Sequence, residues 1–319
     1  MTWLISLGAL IVALALIVFF VTLFFFSFAI CRKESYTAEA ALSRLKKNTP
    51  PDQFARIKSG AEAFANAPWE TVSIRSRDGL KFCAYLLEQP DPANARGTIV
   101  LVHGWRSHPC IDFSASWEYY VKKGLNVLAV RQRAIGESEG KYICFGFKER
   151  FDLIDWIGFV NNRYGNSKKV IVSGISMGAA TVMMALGEDE FPKNVVGATA
   201  DCGFVSPWEQ FAHVLRHSYH LPKFPLLYTA DLWSRLVAGF PFRGCSTEES
   251  LKKAKVPILF IHGLSDDFVP PEHSKRSAAA CASPHELIEV EGAGHGLSYL
   301  VDSKTVGDKM DQFFDRILG

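Results

Sequence analysis

The run Val170-Ile171-Val172-Ser173-Gly174-Ile175-Ser176-Met177-Gly178-Ala179-Ala180 restricts the folds open to this chain more than any other stretch. A β-branched segment leads into Gly-x-Ser-x-Gly, and a helix-favouring segment, Met177 to Leu186, follows. That order predicts a buried strand, a sharp turn and a helix, with Ser176 at the turn. Gly174 and Gly178 let the backbone approach closely, so Ser176 can adopt a strained conformation with its hydroxyl exposed. The helix beginning there aims unpaired N–H groups at the same point, which makes the Met177 amide a candidate oxyanion donor. The same five-residue pattern is common by chance in loops; the strand before it and the helix after it favour the nucleophile turn over that reading.

A serine hydroxyl needs a base, and the base needs a group that orients it. Two later strand ends supply candidates in the order Ser…Asp…His. The first is Ile261-His262-Gly263-Leu264-Ser265-Asp266-Asp267-Phe268-Val269-Pro270, the second Val290-Glu291-Gly292-Ala293-Gly294-His295-Gly296. His295 is the expected base, and Asp266 the acid that fixes its tautomer. A lone His in a loop is usually a solvated surface residue, and a lone Asp after a strand a turn former; the shared order speaks for the catalytic reading. Asp267 and Asp201 are the rival acids. A second oxyanion donor is expected in His103-Gly104-Trp105, from the backbone N–H of Trp105, whose ring also fits a packing role.

The strands expected around this site are Thr71–Ser76, Leu80–Leu87, Thr98–Val102, Leu125–Arg131, Val170–Ile175, Val195–Ala200, Pro257–Ile261 and Glu286–Val290. Arg77-Asp78-Gly79 joins the first two as a hairpin turn. Helical patterns cover Phe113–Lys123, Lys148–Tyr164, Met177–Leu186, Glu272–Ala282 and Leu297–Leu318. Continuous apolar strands alternating with helices imply a mostly parallel eight-stranded sheet covered on both faces, with catalytic groups at the carboxyl ends of its strands. One region breaks the alternation. Residues from about 204 to 250 are rich in aromatics and Pro, and a connection of that length predicts a helical cap over the sheet edge. Trp208 and Phe211 are its candidate substrate-pocket residues.

The N-terminus is of another kind. Trp3 to Cys31 carries no charge, and as a helix it would measure about 43 Å against the roughly 30 Å of a bilayer core. A cleaved signal peptide has a shorter apolar run, a basic start and a small-residue cleavage site, and these are missing here. The expectation is a retained single-pass anchor over residues 1–31, a helical stalk over 32–69 broken at Pro50-Pro51, and a catalytic domain over 70–319. Arg32, Lys33, Arg44, Lys46, Lys47, Arg56 and Lys58 follow the span, so the positive-inside rule places that domain in the cytoplasm. Seven scattered cysteines without a Cys-x-x-Cys pair agree with reduced thiols. A net charge of +2 gives no reason to expect a nucleic-acid partner.

Other clusters carry less. His213, His217 and His220 fall at helical spacing, but lack the Glu and the carboxylate that a zinc site of that pattern brings, and read as a cap-helix face. Cys110 and Cys202 read as buried thiols near the rim. No metal and no cofactor is expected.

From about Glu70 onward the chain resembles an α/β-hydrolase, of the branch grouped with prolyl-oligopeptidase-like and serine aminopeptidase-like domains. The motifs are His103-Gly104-Trp105, Gly174-Ile175-Ser176-Met177-Gly178, His262-Gly263-x-x-Asp266-x-x-Val269-Pro270 and Gly292-x-Gly294-His295-Gly296. The resemblance implies Ser176 as nucleophile, Asp266 as acid and His295 as base. The stretch Arg131 to Gly140 departs from the family pattern, with Arg131, Ala134 and Ile135 where Asp, Gly and often His stand. The expectation is a membrane-anchored serine hydrolase acting on an apolar or lipid-like ester. A peptidase of the same fold is the alternative within the chemistry, and a catalytically silent, membrane-tethered binding protein the alternative outside it.

Overall fold

The computed structural model describes residues 2–33 and 37–319; Met1 of the expected anchor and residues 34–36 of the expected stalk lie outside the described residues. Over the described residues the apolar runs form eight strands: β1 (Glu70–Arg75), β2 (Lys81–Leu87), β3 (Gly97–Val102), β4 (Leu125–Val130), β5 (Val170–Ile175), β6 (Val195–Asp201), β7 (Ile258–Gly263) and β8 (His285–Val290). They make one sheet in the order β1-β2-β4-β3-β5-β6-β7-β8. Strand β2 pairs antiparallel with β1 and β4, and the remaining pairs are parallel. β3, β4 and β7 are buried at every residue, as strands covered on both faces must be. This is the α/β-hydrolase fold.

Helices Glu149–Tyr164, Met177–Ala185 and Glu272–Ala280 follow the expected pattern closely. Two others are split. The expected Phe113–Lys123 helix becomes Pro109–Asp112 and Trp117–Lys122. The C-terminal helix divides at Asp302 into Ser298–Val301 and Ser303–Leu318, because the Asp302 side chain accepts from the Thr305 N–H (2.9 Å) and caps the second piece.

The segment before the sheet packs closely against it. Thr37 caps the helix Ala38–Asn48, and Pro51 opens the helix Pro51–Asn66 at the one position where proline has no hydrogen bond to lose. Ala41, Ile57, Ala61 and Phe64 are buried in the same cluster as Ile99 and Leu101 of β3.

The N-terminal helix, Thr2–Ala29, is exposed from residue 3 to 17. Beyond that, Thr22, Phe26 and Ile30 are buried at helical spacing. They meet the cap, formed by helices Pro207–His217, Leu226–Val237 and Thr247–Leu251. The Thr22 hydroxyl pairs with that of Thr229 (2.7 Å), Phe19 packs edge-on against Trp233, and Phe25 against Tyr219. Phe26 and Ile30 share one core cluster with Phe204, Phe240 and Phe242 of the cap and with Met177. The chain then runs beside a loop of the domain: the Arg32 N–H donates to the Lys141 carbonyl (2.9 Å), the Ile143 N–H to that of Ile30 (2.8 Å), and the Arg32 guanidinium to the Ser138 and Gly136 carbonyls (2.6 Å each).

Candidate active site

Ser176 lies between β5 and the helix Met177–Ala185 with φ 56° and ψ −119°, a conformation that costs a non-glycine residue energy and is held by its surroundings. Two glycines make the turn possible. A Cβ on Gly178 would sit far inside contact distance of the Val102 carbonyl oxygen, and one on Gly174 would meet the Gly178 carbonyl. The Ser176 N–H donates to the Asp201 carbonyl (2.8 Å), which ties the turn to β6.

The structure brings Ser176, His295 and Asp266 together. His295 Nε2 lies 2.8 Å from Ser176 Oγ, and its Nδ1 lies 2.6 Å from Asp266 Oδ2. The other oxygen, Asp266 Oδ1, accepts the Phe268 and Val269 N–H groups (3.0 and 2.9 Å). His262 Nε2 approaches Asp266 Oδ2 at 3.3 Å, and is itself held by the Val269 carbonyl (2.9 Å) while its Nδ1 meets Ser274 Oγ (2.6 Å). Burial alone would raise the Asp266 pKa. The charge of His295 and the hydrogen bonds from His262, His295 and Val269 outweigh it, and hold the carboxyl well below the usual carboxylate range. Burial likewise acts to lower the pKa of His295, and the Asp266 carboxylate reverses this, so the imidazole titrates above its ordinary value.

Neither rival acid bonds to His295 among the described residues. Asp201 ends β6 beside the site, where desolvation pushes its carboxyl up to about 6, and its Oδ1 has no partner among the described residues. Asp267 is exposed, and its carbonyl takes a hydrogen bond from His213 Nε2 (2.9 Å).

Gly104 faces the serine: a Cβ there would lie 3.2 Å from Ser176 Cβ. Its N–H is engaged by Asp112 Oδ2 (2.6 Å), and Asp112 Oδ1 takes the Ser107 hydroxyl (2.5 Å). The Trp105 and Met177 amides have no acceptor among the described residues. The Trp105 ring reaches the other way. Its Nε1–H donates to the Ala29 carbonyl (2.8 Å), Phe28 packs on its edge, and the Arg106 guanidinium covers its face.

A cavity of about 340 Å³ opens at Ser176 and His295 and extends past Leu45 and Ile57 of the two preceding helices to Met310. A second, of about 250 Å³, lies between the N-terminal helix and the cap, and Trp105 and Phe268 line both. Phe211 lines the second. Trp208 is not brought to either; it packs edge-on against Tyr228 beneath the Arg243 guanidinium.

Three contributors are not apparent from residue order. Asp112 holds the loop after β3 at Gly104, His262 supports Asp266 although it stands inside the motif, and the Arg44 guanidinium reaches the Arg106 carbonyl from the segment expected to be a stalk. Cys202, Asp266 and His295 offer ligand atoms within 4.8 Å of one another, but the set suits a metal poorly. Burial holds the Cys202 thiol well above its ordinary value, and the imidazole nitrogens face Asp266 and Ser176. The cap histidines make no such group among the described residues: His213 stacks on His217, where the helix ends, and His220 follows beyond it.

Comparison with known proteins agrees with this architecture. A profile described as the alpha/beta hydrolase family matches residues 99–307. Protein Rv2307c of Mycobacterium tuberculosis is 37% identical over 246 residues, covering 76% of this chain and 78% of its own. Protein YqkD of Bacillus subtilis is 28% identical over 277 residues, 86% of this chain and 89% of its own. Among solved structures, the Pyrococcus furiosus esterase Pf2001 superposes with a TM-score of 0.63 at 24% identity, covering 79% of this chain and 93% of that one.

Proposed function

The chain belongs to the alpha/beta hydrolase family, and on that premise we propose that it is a membrane-anchored serine hydrolase that cleaves a carboxylic ester with an apolar or lipid-like acyl group. The observation that carries the reading is the hydrogen-bonded chain Ser176–His295–Asp266, with links of 2.8 and 2.6 Å on a strained turn. Ser176 Oγ attacks the ester carbonyl while His295 Nε2 takes its proton. The Trp105 and Met177 amides receive the oxyanion, and Asp266 stabilises the imidazolium. His295 then returns the proton to the departing alkoxide, leaving an acyl-serine. Water, deprotonated by the same imidazole, releases the acid and restores Ser176. The esterase named among the structural neighbours supports ester over amide as substrate.

In this reading residues 1–31 are the anchor, 32–69 join it to the domain, and 70–319 carry the reaction. The apolar helix Trp3–Ala29 is long enough to cross a bilayer, and the basic residues after it favour a cytoplasmic domain. The test is labelling with a fluorophosphonate. Wild-type protein is expected to react and Ser176→Ala to remain unlabelled with its fold intact; equal labelling of the two excludes Ser176 as nucleophile.

A further inference from the structure

The second cavity bears on what this site acts upon. Its walls are Phe26, Phe28 and Ile30 of the N-terminal segment and Phe211, Leu227 and Phe242 of the cap. Of the polar groups on its lining, the Thr22 hydroxyl is committed to Thr229 and the Gln210 side-chain N–H to the Phe268 carbonyl (2.7 Å), while Gln210 Oε1 is buried without a partner among the described residues. The lining is otherwise mostly aromatic and aliphatic, and such walls bury hydrocarbon. Trp105, whose amide faces the reacting carbonyl in the proposed mechanism, and Phe268, 5.0 Å from the His295 ring, stand between this cavity and Ser176.

The depth of the helix adds a second, independent argument. Fifteen residues, 3 to 17, are exposed all round, and at 1.5 Å each they measure about 22 Å. A bilayer core is roughly 30 Å thick, so the remaining 8 Å or so falls on the turns where the cap packs. The cap is suited to that depth. Phe224, Leu232 and Leu236 are 70%, 58% and 71% exposed, far more than an aqueous surface favours, and Trp233 and Tyr219 lie against Phe19 and Phe25. With Trp3 at the far face of a bilayer, the cap helix Leu226–Val237 falls at the edge of the hydrocarbon layer, and the cavity between it and the N-terminal helix falls there too.

We propose that this cavity holds the acyl chain of a membrane-resident ester, which enters sideways from the bilayer, so that the N-terminal helix is itself a wall of the substrate site. The proposal rests on the serine-hydrolase reading for the position of the ester bond, but its test does not need turnover. Full-length Ser176→Ala protein in phosphatidylcholine vesicles is irradiated with a decanoyl ester carrying a terminal diazirine, and the adducts are mapped by mass spectrometry. Adducts at Phe26, Phe211, Leu227 or Phe242 are expected. Adducts at Leu45, Ile57 or Met310 would place the chain in the first cavity, and adducts confined to residues 3–17 would mean contact with bulk lipid alone; either overturns the proposal. A variant supplies the second arm. Ala230 lines the cavity, and Ala230→Phe should lower the ratio of decanoate to acetate kcat/KM at least about tenfold. A ratio equal to wild type, in protein that still labels with fluorophosphonate, overturns the proposal as well. Failure of wild-type protein to label at Ser176 would instead remove the hydrolase reading, and the adduct map would still decide where the chain lies.

Discussion

The Asp266 carboxylate sets the electrostatics of the site, since it is what raises a buried imidazole above its ordinary pKa. In the proposed mechanism the base is neutral His295, so kcat/KM should rise with pH through a limb lying above 6.5. Asp266→Asn should lower kcat by about 10⁴, as expected when the tautomer is lost, and move the limb to lower pH, because burial is then opposed only by the charges of Asp201 and Asp112. A pH–rate profile of the two proteins checks both; an unmoved limb would mean that another group sets it. Asp201 makes the contrasting case. Its buried carboxyl, pushed up to about 6, is easy to accommodate when neutral and costly when charged. Its contribution to stability is complete below the unfolded pKa of about 4 and is lost as pH rises towards 6. Asp201→Asn should thus match wild type in melting temperature near pH 4 and exceed it by up to about 3 kcal/mol of stability above pH 7, with much less harm to kcat than Asp266→Asn. A difference in melting temperature that does not change with pH would refute this.

At the level of elements, two glycines separate fold from mere chain. Gly178, second in the helix after Ser176, leaves no room for a Cβ beside the Val102 carbonyl, and neither backbone can yield. Gly178→Ala should cost more than about 2 kcal/mol. Gly158, inside the helix Glu149–Tyr164, has nothing within 4 Å of where a Cβ would be, and Gly158→Ala should gain about 0.5–1 kcal/mol. Thermal melts of both variants test the pair. Legibility in the sequence also differs from element to element. Buried strands show as unbroken apolar runs, so β3, β4, β5 and β7 were legible to within a residue or two, and with them the order in which Ser176, Asp266 and His295 appear. Less legible was whatever depends on a neighbour distant in sequence. Apolar spacing shows that Ala41, Ile57 and Phe64 face something, but not that the something is β3. Asp112 and Asp302 look like ordinary helix residues until their carboxylates are seen bonding to Gly104 and Thr305. An aromatic-rich cap suggests a pocket without saying which rings form it: Phe211 does, and Trp208 lies under Arg243.

For the whole molecule, the 69 residues before β1 divide into parts that differ in what they support. A chain beginning at Thr37 keeps Ala41, Ile57, Ala61 and Phe64 in place, and should fold and hydrolyse a water-soluble acetate ester. A chain beginning at Glu70 bares that face of the sheet and should not give soluble, folded protein. Circular dichroism and acetate turnover of the two distinguish them; a folded, active chain from Glu70 would show that the two helices are dispensable. The junction at residues 30–32 has a different consequence. Backbone bonds to Lys141 and Ile143, and the Arg32 guanidinium on Ser138 and Gly136, leave no slack between helix and domain. An enzyme on a long leash could lean over and reach a neighbouring bilayer; one clipped in this way turns only as the helix turns. With the proposed anchor in a bilayer, the proposed esterase would reach only in cis: when protein-bearing vesicles are mixed with protein-free vesicles carrying the ester, only ester sharing a membrane with the protein should be consumed.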